Sequence, residues 1–335
     1  MMSERPSLVD IVLAVNRIRS KLCVTPVVTS TCLNDLTGRN IYLKCENLHK
    51  TGSFKCRGAL NTVIKALENK EISISGFVTH SSGNHGQALA WSAKSVNLPC
   101  SVVVPVGTPL VKTNAIESYN AELVLCPPTP AARLETCNKI GHEKNYMIVP
   151  PFDHPDVIAG QGTIAVEFLK QVEDLDAIFV PVSGGGMISG IAIYAKQINP
   201  NIRIYACVPE GKMLSECLKS CERLWPNPPA FLNTKAEAIR LQQCGEITFP
   251  IMCDLVEKEV FTIDDASMIA ATKFAFERLK LVVELASGCA LAAILSDQLK
   301  TLDKNIKNIG VILCGGNIDI NKLPWIENET KTKDI

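Results

Sequence analysis

Apolar positions along this chain follow two alternating rhythms. Short apolar runs, at 77–80, 101–104, 121–125 and 147–149, and again at 177–182, 203–208 and 309–313, predict buried strands. Between them, apolar residues spaced three and four apart predict helices over 86–96, 113–119 and 131–142. Further helices are predicted over 163–172, 187–197, 265–279 and 287–299. Strands that alternate with helices in this way belong to parallel sheets covered on both faces. Ahead of this pattern, Ser7 caps a helix with Asp10 in its first turn and Leu8, Ile11, Val12, Val15 and Ile18 on one face. Thr25-Pro26 ends that helix, and an extended segment leads through a turn at 36–40 to a strand at 41–45. The proline-rich stretch 150–155 interrupts the alternation and marks a junction, and residues 210–258 show no clear period. The expectation is a two-domain α/β protein.

Composition narrows the class. The chain has 335 residues, 47% of them hydrophobic, enough for a sizeable core. Its 34 basic and 34 acidic side chains balance, which gives no reason to expect a nucleic-acid partner or an acidic surface. The longest apolar runs are strand-sized, so no membrane partner is expected, and the first residues carry no signal-peptide pattern. Fourteen scattered cysteines, without Cys-x-x-Cys pairs or zinc spacing, predict reduced thiols and a cytoplasmic protein. The sequon Asn328-Glu-Thr330 has no meaning in that compartment.

Four loops carry the candidate chemistry. In Lys50-Thr-Gly-Ser-Phe-Lys55, a small-residue turn puts Lys55 at a helix start. The positive helix end there disfavours the ammonium and leaves a nucleophilic amine. Taken alone, Lys55 reads more simply as an exposed lysine of a first turn. Ser183-Gly-Gly-Gly-Met187 follows a strand and opens a helix, so its backbone N–H groups can cradle a phosphate. It lacks both the Walker lysine and the dinucleotide spacing. His80-Ser-Ser-Gly-Asn-His-Gly86 sets Ser81, Ser82, Asn84 and His85 on a polar strand-to-helix turn. Cys314 ends the last strand, with its thiol able to meet a ring nitrogen or simply to fill the core. Amine, phosphate cradle, polar turn and ring partner together describe a crevice for pyridoxal 5'-phosphate (PLP).

Taken with the segments Ile-Ala-Gly-Gln-Gly-Thr and Gly-Gly-Asn, these motifs resemble the tryptophan-synthase-β-like (fold type II) PLP enzymes. Among these the chain is most similar to the serine racemase and serine/threonine dehydratase family, from about Leu8 to Trp325. The resemblance implies two domains, each with a mostly parallel sheet covered by helices. Residues 1–70 and 154–335 would form the large one, with Lys55, the glycine loop and Cys314. Residues 71–153 would form the small one, with the Ser82 loop. By the same resemblance Lys55 is the Schiff-base lysine and the base on one face, and Ser82 the acid/base on the other. Phe54 and Phe152 flank the cofactor ring, and Asn84 bonds its 3-oxygen. Ser183, Gly184, Gly185, Gly186 and Met187 hold the phosphate, and Cys314 faces the pyridine nitrogen. Ser81, Asn84 and His85 grip the substrate carboxylate.

The implied activity is racemisation of serine, with elimination of water from L-serine or L-threonine as a second outcome at the same residues. The alternatives are a dehydratase without racemisation, suggested by Cys314 and Phe152, and a weakly active PLP-binding relative. A homodimer is implied, and so is a nucleotide effector near Lys50, Lys112 and Tyr119. The family's divalent-cation (Mg²⁺) site requires a carboxylate at the end of the strand that here reads Val208. Glu210 and Glu216 are the nearest candidate ligands, both displaced from that position. Glu237-Ala-Ile239 replaces the family's Ala-Asp-Gly, and Glu284-Leu-Ala-Ser-Gly288 lacks the usual proline.

Overall fold

A computed structural model describes residues 5–71 and 73–326, so the 328–330 sequon lies outside the described residues. Two sheets organise the chain. The larger has the order β1-β2-β10-β7-β8-β9, with β1 (Val27–Thr29), β2 (Asn40–Cys45), β7 (Ala177–Pro181), β8 (Arg203–Pro209), β9 (Phe261–Ile263) and β10 (Asn308–Leu313). Only β1 runs antiparallel to its neighbour. The smaller sheet, β5-β4-β3-β6, is wholly parallel and consists of β3 (Gly76–Thr79), β4 (Cys100–Pro105), β5 (Glu122–Cys126) and β6 (Tyr146–Ile148). At the centre of the larger sheet Val311 pairs with Leu43 on one side and Phe179 on the other, all three fully buried. A cluster of Phe179, Tyr205 and Phe261, with centroids 4.9 to 5.7 Å apart, fills the layer beneath.

Helices cover both faces. α1 (Leu8–Ile18) carries the expected capping box from Ser7 and Asp10, but its buried stripe is Ile11, Ala14 and Ile18. Val12 points outward, because a 3.6-residue period that buries 11, 14 and 18 turns position 12 to the opposite side. The segment after Pro26 is not extended throughout. Residues Thr31–Thr37 form α2, capped by the Ser30 side chain and stopped at Gly38 with φ of 66°. α3 (Lys55–Glu68), α4 (Asn84–Lys94), α5 (Leu110–Glu117) and α6 (Pro130–Lys144) follow as expected, within a few residues.

α7 (Pro155–Gln171) begins eight residues before the expected 163. Pro155 occupies its first turn and His154 caps the N–H of Asp156. Gly160 and Gly162, which look like breakers, are contact points instead. A Cβ on Gly160 would lie 2.6 Å from Gly58 Cα, and one on Gly162 2.9 Å from the carbonyl of Gly190. They let α7 press against α3 and against α8 (Gly186–Ile198). The stretch read as irregular, 210–258, holds α9 (Leu214–Ser220) and α10 (Thr248–Leu255). α11 (Asp265–Phe274) widens into a π turn at 275–279 and ends on Lys280 with φ of 59°. α12 (Leu285–Leu295) is buried along almost its whole length. Among the described residues no helix is long and apolar enough to cross a membrane, and all fourteen cysteines are free thiols.

Candidate active site

The loops singled out in the sequence all follow parallel strands, where open α/β sheets place their ligands. Lys55 opens α3 shortly after β2. Its turn is stitched to the loop after β10: Phe54 N–H donates to Cys314 O at 3.1 Å, and Gly316 N–H to Gly52 O at 2.9 Å. Asn317 extends this seam, donating from Nδ2 to both Thr51 O and Asn84 Oδ1 at 2.8 Å. Lysine turn, polar turn and Cys314 loop therefore meet at one point.

Lys55 Nζ lies 5.1 Å from the centroid of the Phe54 ring and donates to the carbonyl of Pro151 at 2.5 Å. Burial drives its pKa down to about 8, against the weaker opposing pull of Cys314 and Glu284. Burial, not the helix end invoked from the sequence, makes the amine available as a nucleophile near neutrality.

Ser81 and Ser82 precede α4, both half-buried, and no protein group hydrogen-bonds either side chain among the described residues. Gly83 gives α4 no side-chain cap, so the first-turn N–H groups stay free for a carboxylate. His85 is placed differently from expectation. Its Nε2 bonds the carbonyl of Val149 at 3.0 Å, which makes that nitrogen the N–H and leaves buried Nδ1 as an unpartnered acceptor. Burial and the nearby Lys55 hold its pKa down to about 3. A neutral ring in this tautomer cannot grip a carboxylate; only the backbone N–H of His85 can.

The glycine loop is shaped from outside. Gly184 O accepts from Thr248 Oγ1 at 2.6 Å and from Gly245 N–H at 3.1 Å, and Ser183 O accepts from Lys212 Nζ at 2.7 Å. With those carbonyls turned away, Gly185 (φ 96°) begins α8 without a side-chain cap, and Gly186 and Met187 form its first turn. A Cβ on Gly184 would lie 2.3 Å from the Phe152 ring, and one on Gly186 2.8 Å from the Phe152 carbonyl. Phe152 thus sits directly over the cradle. The glycines are required by close approach, and the uncapped helix start suits a phosphate.

Cys314 is buried, with Sγ 3.6 Å from Ser287 Oγ and 4.0 Å from Glu284 Oε1. Burial raises its thiol pKa far above the usual value, so it is a neutral partner for a ring nitrogen. Glu284, Asn317 and the Pro151 carbonyl complete the site; the sequence placed Glu284 and Asn317 in family-like segments without giving either a role, and nothing in it marked the carbonyl. Glu284 accepts from Asn84, and burial raises its pKa to about 7. Amine, uncapped glycine cradle and neutral thiol fit PLP.

The family's cation site, which Val208 already put in doubt, is not built among the described residues. Glu210 and Glu216 are both exposed, and no group of three metal-ligating side chains comes together among the described residues. Between them Lys212 and Leu214 are buried. Among the described residues, those around Val208 do not fit Mg²⁺.

Comparisons with known proteins agree with this geometry. A family model described as "Pyridoxal-phosphate dependent enzyme" matches residues 18–315. Human serine racemase is 42% identical over 330 residues, covering 96% of this chain and 94% of that protein. A yeast (Saccharomyces cerevisiae) L-threo-3-hydroxyaspartate ammonia-lyase is 38% identical and covers 95% of each chain. Among solved structures, a PLP-dependent aspartate racemase superimposes with a TM-score of 0.94 at 49% identity, covering 97% of this chain and all of the other.

Proposed function

The chain belongs to the pyridoxal-phosphate-dependent enzyme family, and from that premise we propose that it is a serine racemase. It interconverts L- and D-serine and eliminates water from L-serine or L-threonine to give a keto acid and ammonia. The observation that carries this reading is the stitched seam holding Lys55, a buried amine with pKa near 8, beside Cys314 and Asn84. Bound PLP supplies the electron-withdrawing ring that acidifies the substrate Cα–H. Cys314, a neutral thiol, faces the ring nitrogen and Asn84 the ring oxygen; Phe54 and Phe152 flank the ring. The N–H groups of Ser183 to Met187 hold the phosphate. The substrate carboxylate lies on the α4 start, bonded by Ser81 and by the backbone of Asn84 and His85. Lys55 Nζ and Ser82 Oγ exchange protons at Cα from opposite faces, which inverts the centre. Residues 1–70 with 154–335 form the large domain, and 71–153 the small one. The working form is a cytoplasmic homodimer. A nucleotide effector reaching Lys50, Lys112 and Tyr119 must compete with Glu237, which already pairs with Lys112.

The deciding experiment incubates the purified protein with PLP and L-serine and measures D-serine and pyruvate together. Both products are expected, and both vanish in Lys55→Ala. Ser82→Ala abolishes D-serine formation while sparing part of the elimination; equal loss of the two contradicts the two-face scheme. Pyruvate without D-serine assigns a dehydratase, and absence of both assigns a weakly active PLP-binding relative.

Racemisation of aspartate is a second reading, favoured by a specific observation besides the aspartate racemase likeness. Burial, aided by the nearby Arg133 charge, lowers the His80 pKa. Arg133 has a buried Nε without a partner among the described residues, and both Arg133 and Arg240 lie against the Phe231 ring. Among the described residues neither arginine has an ion-pair partner, and Arg133, near His80 of the polar turn, suits a second substrate carboxylate. D-aspartate formed faster than D-serine, and lost selectively in Arg133→Ala, establishes that reading.

A further inference from the structure

Lys212 is the most unusual charged group outside the reaction centre. It lies just past β8 and is 1% exposed, and no carboxylate pairs with it among the described residues. Its Nζ instead donates to three backbone carbonyls: Leu241 at 2.6 Å, Ser183 at 2.7 Å and Gln242 at 3.2 Å. The nearest ionisable groups are the thiols of Cys244 and Cys217, which burial keeps protonated. The lysine backbone is fixed as well, since Lys212 O accepts from Trp225 Nε1 at 2.7 Å and Gly211 O from Gln242 Nε2 at 3.2 Å.

Burial lowers the Lys212 pKa, but three carbonyl acceptors call for three N–H donors, which the ammonium has and the neutral amine lacks. A buried ammonium with no counter-ion is disfavoured unless dipoles solvate it. Here carbonyl oxygens do so, the ligand type that hard cations take. They come from two separate segments, the glycine loop and 241–242, and the cation between them ties these together. Among the described residues no three metal-ligating side chains gather in this corner: Val208 is the penultimate residue of β8, and Glu210 and Glu216 are turned to solvent.

We propose that the Lys212 ammonium is a built-in, covalently tethered replacement for a divalent cation, a positioning residue that holds Ser183 and so keeps the phosphate loop in shape. The protein then binds its cofactor without a metal. This rests on the reading that residues 183–187 hold the PLP phosphate.

The test titrates the metal-stripped wild-type protein with PLP, in chelator or in excess Mg²⁺, and follows absorbance alongside the thermal midpoint. Affinity is expected to agree within about twofold and the midpoint to stay put. Weakening by about tenfold or more in chelator, reversed by Mg²⁺, overturns the proposal. Lys212→Met should weaken PLP binding by about tenfold or more, and unchanged affinity would also overturn it. In Lys212→Ala, added propylammonium should restore part of the affinity. Neutral propanol should not, which separates the charge from mere filling of space; equal rescue by both overturns the proposal. If neither variant folds, the wild-type comparison decides. Should the wild type capture no PLP, the reading of the loop fails, while the thermal midpoints still decide whether a metal holds this corner together.

Discussion

Asn84 Nδ2 donates to both carboxylate oxygens of Glu284, at 2.8 and 3.1 Å, and so joins the start of α4 to the start of α12. The pair links the two sheets across the crevice, next to Lys55 and Cys314. Burial raises the Glu284 pKa to about 7, although the Asn84 bond and the Lys112 and Lys55 charges oppose it. The folded protein therefore holds this proton between about pH 4.5 and 7, where the unfolded chain has released it. The contribution is fully present below 4.5 and is lost as pH rises through 7. Urea unfolding of the wild type and of Glu284→Gln at pH 5 and pH 7.5 measures it. Relative to the variant, the wild type should lose on the order of 3 kcal/mol across that interval, and parallel pH profiles would contradict the assignment.

Lys55 sets the pH dependence of cofactor capture. A buried amine with pKa about 8 is mostly protonated at pH 7 and free at pH 9. Stopped-flow absorbance of the protein mixed with PLP should show the capture rate rising about tenfold per unit below pH 8 and levelling above it. A midpoint near 10 would mean that the amine sits in water.

Much of this architecture was legible in advance, for reasons that differ by element. Buried parallel strands such as 77–80 and 309–313 announce themselves as uninterrupted apolar runs, and the catalytic loops as small residues directly after them. What escaped was set by contacts between distant segments. The early start of α7 was hidden by Gly160 and Gly162, whose role appears only where α3 and α8 press against them. β9, with three residues, is too short to show a period. The family resemblance made His85 a carboxylate ligand; its tautomer is dictated by the Val149 carbonyl, 64 residues away. Lys212 lies in the stretch 210–258 that shows no clear period, so no pattern marked it as buried.

Gly185 and Gly38 separate two roles of glycine. Both adopt positive φ, 96° and 66°. A Cβ on Gly38 meets nothing within 4 Å, whereas one on Gly185 lies 2.8 Å from Thr248 Oγ1 and 2.9 Å from Met252 Sδ. Gly38→Ala should cost about 1 kcal/mol of stability through backbone strain alone and leave PLP affinity unchanged. Gly185→Ala should cost more, about 2–4 kcal/mol, and weaken PLP binding, because the strained cradle must also move. Urea unfolding and PLP titration of the pair make the comparison; equal effects on cofactor affinity would remove the loop from the phosphate site.

A buried ion network fixes α3 and with it Lys55. Arg57 is fully buried and binds Glu46 through Nε and Nη2 at 2.7 and 2.8 Å, and Glu167 through Nη1 and Nη2 at the same distances. Lys44 adds a contact to Glu167 at 2.8 Å, and Thr25 Oγ1 donates to Glu46 at 2.6 Å. Burial alone would raise the Glu46 pKa, but Arg57 outweighs it and holds the carboxylate at about 2. This stabilisation is present above the unfolded value of about 4.5 and is lost as pH falls towards 2. Arg57→Met leaves the buried Glu46 and the half-buried Glu167 with only Lys44 for balance, and should destabilise the protein by about 3–5 kcal/mol in urea at pH 7. Adding Glu46→Leu to that variant should recover part of the loss, since an apolar pair replaces a stranded charge. A double variant as unstable as the sum of its single changes would show that these residues act separately, and that the helix carrying Lys55 is held by packing rather than by this pair.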